Sequence, residues 1–137
     1  MDVQYHSNDI PSEGELVELY DSVGWTSYTR DPELLASAVE ASLTVVTARI
    51  GGELVGLARA VGDGLTIVYL QDILVDPHYR RHGIGRELFE RVLAPFGNVR
   101  QKVLLTDDKP AQRLFYQAMG FTETHDMSPA LRAFVKF

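Results

Sequence analysis

The sequence predicts one α/β domain of the α+β type, spanning residues 1–137, in which helices cover the faces of a mixed sheet. Its 137 residues are 45% hydrophobic and 23% charged, which is the size and composition of one compact domain able to bury a core. Two helical stretches precede three β-rich runs, after which helix and strand patterns alternate. No repeat, linker or low-complexity tract divides the chain.

Apolar spacing and capping residues indicate the first two helices. After Ser12, a plausible N-cap, apolar residues recur at helical spacing up to Gly24, which ends the helix. Asp31 before Pro32 is the expected pair of cap and first-turn residues, so a second helix is predicted to run to about Ser42.

The strand signals come next. An antiparallel meander is predicted by three β-rich runs separated by GG and GDG: LTVVTARI, ELVGLARAV and LTIVYLQDILV. The stretch IGRELFERVLAPF predicts an amphipathic helix closed by Pro95, and VRQKVLLT a further strand. A short helix is predicted in PAQRLFYQAMG, with Pro110 and Gly120 at its ends. FTETHDM and LRAFVKF predict two terminal strands.

Composition excludes several classes of protein. A net charge of −6 argues against general nucleic-acid binding and favours the approach of a cationic substrate. Without cysteine there is no disulfide, thiolate catalysis or cysteine-bound zinc, and the four histidines lack metal-ligand spacing, so we predict no metal. Because there is no membrane-length apolar run and no signal-peptide pattern at the N-terminus, we expect a cytoplasmic protein with no membrane partner.

The first chemical motif is DPHYRRHGIGREL, residues 76–88. Gly83 and Gly85 let the backbone approach a ligand closely, and the amides at the start of the following helix attract anions. Three arginines add positive charge at the same place: Arg80, Arg81 and Arg86. The combination suits a pyrophosphate, with an ordinary solvated turn as the alternative. The spacings of the Walker loop, GxxxxGK[ST], and of the dinucleotide fingerprint, GxGxxG, are both absent.

The second motif, PAQRLFYQAMGF, follows the next strand, so the start of its helix is expected at the same edge of the sheet as the loop. Together, RRHGIG matches the [QR]xxGx[GA] loop of the GNAT superfamily of N-acetyltransferases, and Ala111–Phe121 resembles that family's AxxFYxxxGF helix. The resemblance covers roughly residues 43–121. It implies a mostly antiparallel sheet of about six to seven strands, splayed between the fourth and fifth.

The resemblance also implies where acetyl-CoA, the co-substrate of that family, would bind. Its pantetheine arm would pair with the backbone of the fourth strand, and its pyrophosphate would rest on the loop amides with Arg80 and Arg81 as charge partners. His82 is expected beside the phosphates rather than as a base. The implied contacts are Ile73, Val75, Arg80, Arg81, His82, Gly83, Ile84, Gly85, Arg86, Asp108 and Tyr116.

Two residues are candidates for catalysis. Tyr116 matches the family's tyrosine near the thioester sulfur, and a phenol with a reference pKa of about 10 can give a proton to a departing thiolate. Some members use a glutamate of the fourth strand as base, but Gln71 stands there and cannot accept a proton. The adjacent Asp72 is the candidate base, although alternation points it to the opposite face from Gln71. It could instead order a water or the neighbouring helix, and a water chain to solvent could replace it.

The candidate substrate-binding residues are Trp25, Tyr28 and Gln71. In GNAT enzymes the loop between the first two helices walls the acceptor site, where Trp25 and Tyr28 could cover an arylalkylamine or polyamine by cation–π contact. Ordinary core packing is the alternative for the tryptophan. LYDSVGW followed by three strands is similar to small acetyltransferases related to plant serotonin N-acetyltransferase.

We therefore expect direct attack by a small primary amine on acetyl-CoA in a ternary complex. A protein amino group as acceptor and a homodimer are left open. The alternative function is a non-catalytic CoA-binding sensor or protein-interaction module with the same fold.

Overall fold

A computed structural model describes every residue from Met1 to Phe137. The chain forms two compact units, Met1–Leu104 and Leu105–Phe137, and the expectation of a single domain stays a prediction. None of its helices has the length and apolar character needed to span a bilayer.

The first unit holds one sheet and four helices. Its strands are β1 (Gln4–Ser7), β2 (Thr44–Ile50), β3 (Glu53–Gly62), β4 (Ile67–Val75) and β5 (Gln101–Leu104). Its helices are α1 (Glu13–Ser22), α2 (Thr26–Thr29), α3 (Pro32–Glu40) and α4 (Ile84–Leu93). The strands lie side by side in chain order, all antiparallel except the parallel pair β4–β5. The mixed, mostly antiparallel sheet is confirmed, with five strands instead of six to seven.

The second unit contains α5 (Pro110–Ala118) and a short 3₁₀ turn over Thr124–Asp126. The helix confirms the prediction from PAQRLFYQAMG. The two predicted terminal strands are wrong, because FTETHDM forms the 3₁₀ turn and LRAFVKF has no regular secondary structure. Apolar, β-branched residues favour a strand only where a neighbouring strand offers a ladder of hydrogen bonds. Instead of joining a strand, the LRAFVKF stretch makes a backbone hydrogen bond from Leu131 N to Thr124 O.

The predicted starts of α1 and α3 are confirmed, as is the end of α1 before Gly24, whereas α3 ends at Glu40, two residues before the predicted Ser42. Ser12 and Glu15 form a reciprocal capping box at the start of α1, and the Asp31 side chain caps α3. At the end of α1, the amide of Gly24 bonds to Asp21 O and that of Trp25 to Tyr20 O. This is a Schellman motif, which accounts for the glycine at a backbone φ of 78°.

The sheet is covered on both faces. On one, α1 and α3 pack over a core of buried residues: Leu16, Leu19, Tyr20, Leu35, Val39, Val45, Leu54, Leu57 and Leu74. On the other, α4 approaches β3 so closely that a Cβ on Gly56 would lie 3.0 Å from Leu88 Cδ1 and 3.3 Å from Ile84 Cγ2. A glycine in β3 is therefore what lets this helix pack against the sheet.

A bulge in β4 changes the face to which its side chains point. Ala60 of β3 pairs with Leu70, whereas the preceding Arg59 pairs with Asp72, so Gln71 is an extra residue. Neighbouring residues of β3 face opposite sides of the sheet. Leu70 therefore faces the α4 side, and Asp72 faces α1 and α3, although both are buried.

Candidate active site

The pairing between the neighbouring strands β4 and β5 ends about half way along β4. Their paired residues run from Ile67–Gln101 to Leu70–Leu104, but β4 continues to Val75. The amide of Asp76 bonds across to Val55 O of β3. Since backbone groups alternate in direction along a strand, the amides of Ile73 and Val75 point to the opposite edge, beyond the last β4–β5 pair. Ile73 and Val75 are the residues that the family resemblance implies as contacts of the pantetheine arm.

The chain turns from β4 into α4 through a loop with an unusual backbone. The Asp76 carboxylate accepts a hydrogen bond from His78 N and caps a short 3₁₀ turn, after which Arg81 has φ 66° and Gly83 φ 76°. A left-handed conformation is natural for glycine and uncommon for arginine. Backbone strain at a non-glycine residue is a feature that clusters at ligand sites.

The start of α4 presents backbone N–H groups. Glu87 N makes the first helical hydrogen bond, to Gly83 O, so the amides of Ile84, Gly85 and Arg86 precede the helical ladder. Gly83 occupies the N-cap position and has no side chain that could satisfy them. These donors, at the positive end of the helix dipole, fit a diphosphate.

The side chains around this helix start are mostly exposed. They are Arg80, Arg81, His82 and Arg86, whereas Ile84 is buried and anchors the turn in the core. Arg86 directs its Nε to Glu90 at 3.2 Å along the helix surface, so this arginine is shared with a carboxylate. Arg80 and Arg81 are therefore the better candidates for charge partners of a phosphate.

Asp72 lies at the centre of a buried network of hydrogen bonds. Its Oδ2 accepts from Arg59 Nε at 2.6 Å and from Tyr20 Oη at 2.9 Å, and its Oδ1 accepts from Tyr28 Oη at 2.8 Å. Burial raises the pKa of Tyr20, and the neighbouring carboxylate raises it further. The network therefore ties β4 to α1 and α2, since these tyrosines come from those two helices.

The tyrosine of α2 links this network to the surface. The Gln71 side chain is exposed and donates from Nε2 to Tyr28 Oη at 3.0 Å. Tyr28 also packs edge-on against Tyr20, with ring centroids 5.1 Å apart, and lies 6.3 Å from the Trp25 ring. Both Trp25 and Tyr28 are partly buried against the core, so each combines a packing role with an accessible edge. The structure therefore brings together the predicted residues Tyr28, Gln71 and Asp72. The expectation that Asp72 points to the opposite face from Gln71 is wrong, because the bulge lets both side chains bond to the Tyr28 hydroxyl.

Tyr116 and Asp108 belong to the second unit. Tyr116 lies on α5, where the amide of Gly120 bonds to Gln117 O and that of Phe121 to Tyr116 O. This second Schellman motif accounts for the GF that ends the helix motif. Tyr116 is partly buried, which raises the pKa of its phenol to about 12. Asp108 is exposed just before the helix. Their proximity to acetyl-CoA stays a prediction.

A group of possible metal ligands also lies in the second unit. The ligand atoms of Glu123, His125 and Asp126 lie within 4.8 Å of one another. Arg113 pairs with the carboxylates of Glu123 and Asp126, so a cation of the chain already balances this charge.

Sequence reasoning missed Arg59 and Tyr20. A signal for the arginine was present, because Arg59 stands alone in the apolar strand VGLARAV and Asp72 stands alone in the next strand, LQDILV. Two opposite charges, each isolated in an apolar run of adjacent strands, predict a buried cross-strand pair. Tyr20 carried no such signal, since a tyrosine in a helical apolar stripe is typical of core packing.

Comparison with known protein families gives one family-model match. The model described as an acetyltransferase (GNAT) domain matches residues 41–123, more than half of the chain. A solved GNAT-family acetyltransferase from Streptococcus pneumoniae superposes with a TM-score of 0.87 at 31% identity, covering 99% of this chain and 98% of that one.

Two plant proteins are also similar in sequence. Histone acetyltransferase TAP1 of Glycine max is 32% identical over 123 residues, covering 78% of this chain and 50% of that protein. Serotonin N-acetyltransferase 2 of Oryza sativa, a chloroplastic protein, is 30% identical over 117 residues, covering 82% of this chain and 58% of that protein. The chain thus spans about half the length of these curated relatives.

Proposed function

This chain belongs to the GNAT acetyltransferase family, and from that premise we propose that it transfers an acetyl group from acetyl-CoA to a primary amine within a ternary complex. The observation that carries the proposal is the turn into α4. Its left-handed Arg81 and Gly83 precede three amides that stand ahead of the helical ladder, beside two exposed arginines. When bound, acetyl-CoA supplies the activated thioester for acyl transfer.

The residues of this chain would hold acetyl-CoA along one edge. The amides of Ile73 and Val75 are directed away from β3, as pairing with an amide-containing arm requires. The amides at the start of α4 would bind the diphosphate, and Arg80 and Arg81 would contribute charge-assisted hydrogen bonds.

The reaction requires four changes of bonding. The neutral amine forms a bond to the thioester carbon, the carbon–sulfur bond breaks with its electron pair on sulfur, the sulfur gains a proton, and the nitrogen loses one. A β4 amide provides a fixed donor for the developing oxyanion. The family resemblance makes Tyr116 the residue that gives the proton to sulfur, and its raised pKa of about 12 keeps the phenol protonated at neutral pH. It recovers that proton from solvent.

Asp72 is poorly disposed to act as the base. Both of its oxygens already accept hydrogen bonds, and Arg59 holds the carboxylate in a buried ion pair. The proton on nitrogen therefore leaves through water to bulk solvent. This arrangement favours an acceptor that reaches the site as a neutral amine.

The acceptor proposed is a small arylalkylamine or polyamine. Trp25 and Tyr28 offer aromatic surface beside the exposed Gln71, which suits an apolar or cationic chain ending in an amine. The names of the plant relatives include both serotonin and histone acetyl acceptors, so a protein amino group is the second candidate. A cytoplasmic location and a homodimer stay predictions.

The test is release of free CoA thiol in the presence of acetyl-CoA and 2-phenylethylamine, spermidine or a lysine-containing peptide. We expect amine-dependent turnover that falls about a hundredfold or more in Tyr116→Phe, the range for loss of a general acid. Tyr5→Phe is the matched control, because Tyr5 lies on the edge strand β1. Acetyl-CoA binding without turnover on any amine would support the sensor, and absence of binding would contradict both functions.

A further inference from the structure

We propose that Gln71 presents its side-chain oxygen, Oε1, as an oriented hydrogen-bond acceptor for an N–H of the acceptor amine. Tyr28 and Asp72 are the positioning residues that set this orientation. The inference rests on the acetyl transfer proposed above and assigns the group that aligns its nucleophile.

The direction of the hydrogen bonds follows from counting protons. Asp72 is paired with Arg59, so its carboxylate only accepts hydrogen bonds. The single hydroxyl proton of Tyr28 therefore points to Asp72 Oδ1, 2.8 Å away. The Tyr28 oxygen is left as an acceptor, and the Gln71 atom 3.0 Å from it must be the amide nitrogen.

With Nε2 used in this way, Oε1 remains as the acceptor of the Gln71 side chain. Gln71 is exposed and is the extra residue of the β4 bulge, just beyond the last β4–β5 pair at Leu70. It therefore stands at the beginning of the stretch that carries the amides of Ile73 and Val75. A nucleophile held by Oε1 would lie beside the strand along which the thioester is expected.

The chemistry of an amide oxygen favours a neutral amine. An N–H donated to Oε1 fixes the nitrogen and leaves its lone pair available for attack. A carboxylate in the same place would attract the ammonium form, whose lone pair is already protonated. The amide also does not titrate, so its capacity to accept is the same throughout the pH range of the assay.

The first experiment compares Gln71→Met, which keeps side-chain length but loses the hydrogen bond, with Gln101→Met, an exposed glutamine on β5. We expect Gln71→Met to lower kcat/KM for 2-phenylethylamine about tenfold, the effect of one hydrogen bond, with the KM for acetyl-CoA unchanged. The control should match the wild type. Wild-type turnover with an unaffected Gln71→Met variant would overturn the inference and leave the proposed function standing.

A second pair of variants separates orientation from a merely structural role. Tyr28→Phe removes the hydroxyl that holds the Gln71 amide. The double variant Tyr28→Phe/Gln71→Met should therefore lose less kcat/KM than the product of the fold-losses of the two single variants. Gln71→Glu should retain turnover and add an acid-side ionisation to the pH profile of kcat/KM, starting from a reference pKa of about 4.3. Independent effects of the two substitutions, or a profile identical to the wild type, would contradict the inference.

A binding measurement tests Gln71 apart from turnover. The side-chain NH₂ resonances of Gln71 are identified in ¹⁵N-labelled protein by their absence in Gln71→Met. Addition of 2-phenylethylamine in the presence of CoA should shift them, because the amide accepts a hydrogen bond. Unshifted resonances at saturating amine would overturn the inference even if no amine were acetylated.

Discussion

Arg59 and Asp72 face each other across the β3–β4 ladder, with Arg59 Nε 2.6 Å from Asp72 Oδ2 and both side chains buried. The arginine also reaches Ala38 O and Ser42 Oγ, so the pair joins two strands to α3 and the residues that follow it. A buried ion pair is costly to desolvate, and removing one partner leaves the other charge uncompensated.

We therefore predict that Arg59→Met lowers the free energy of unfolding by about 3–5 kcal/mol, measured by urea denaturation. The double variant Arg59→Met/Asp72→Asn should recover part of this loss, because no charge is then left buried alone. Glu90→Gln, which breaks the exposed pair with Arg86, is the control and should change stability by less than about 0.5 kcal/mol. If Arg59→Met and Glu90→Gln lowered the free energy of unfolding equally, the importance of burial for the Arg59–Asp72 pair would be contradicted.

Alkaline pH should destabilise the fold through its buried tyrosines. Burial raises the pKa of Tyr20, Tyr28 and Tyr116, the last to about 12. Above a pH of about 10, the unfolded chain releases phenolic protons that the folded chain retains, so the free energy of unfolding falls as pH rises. Below that pH this contribution is fully present.

Urea denaturation from about pH 7 to about pH 11, a range that includes the reference tyrosine pKa of about 10, checks this dependence. In Tyr20→Phe the alkaline slope should be shallower. Its stability at neutral pH should nevertheless be lower by about 1.5–3 kcal/mol, because a hydrogen bond to the Asp72 carboxylate is lost. A Tyr20→Phe slope as steep as the wild-type slope would contradict the assignment to Tyr20.

The left-handed turn before α4 makes Gly83 sensitive to substitution. No atom lies within 4 Å of the position of an added Cβ, so Gly83→Ala meets no clash and its cost is conformational, about 1–2 kcal/mol. Gly97→Ala is the matched control, since Gly97 also has open space but a φ of −54°. We expect the first variant to lose stability and CoA affinity, and the second to lose neither, in thermal unfolding and calorimetry. Equal stability and CoA affinity of the two variants would contradict a conformational cost at the left-handed position of Gly83.

The raised pKa of Tyr116 predicts the shape of the rate profile. A general acid must be protonated to act, and a phenol with a pKa of about 12 stays protonated through the usual assay range. The kcat of the wild type should therefore show no fall at alkaline pH attributable to Tyr116 below a pH of about 11. A fall centred lower that disappears in Tyr116→Phe would contradict the burial of this phenol.

The sequence predicted the elements whose signals are local. Helices α1 and α3 carried caps at Ser12 and Asp31, and the meander carried glycine turns, so their positions were confirmed. Strand β1 was missed because VQYHS is short and polar, and an edge strand of four residues depends on its partner for stability. The terminal strand predicted from LRAFVKF failed for the complementary reason: its composition is apolar, but composition supplies no partner strand.

The candidate site divides in the same way. Its glycine loop could be predicted from spacing, because glycine and helix start are local features. The Arg59–Asp72 pair left a signal in the two apolar strands, but the contacts of Asp72 with Tyr20 and Tyr28 could not be predicted, since they depend on a bulge that changes the face of β4 in mid-strand. Leu70 and Asp72 are both buried at alternate positions, which in sequence is typical of side chains on one face.

The bulge also has a consequence for deletions in this strand. Gln71 has no counterpart on β3, where Arg59 directly precedes Ala60. A chain lacking Gln71 could pair Leu70 and Asp72 with these two neighbours in an unbroken ladder, and every flanking side chain would keep its present face. A lineage could thus lose Gln71, and with it the amide proposed to bind the acceptor amine, while retaining the sheet, the ion pair and the hydrophobic core.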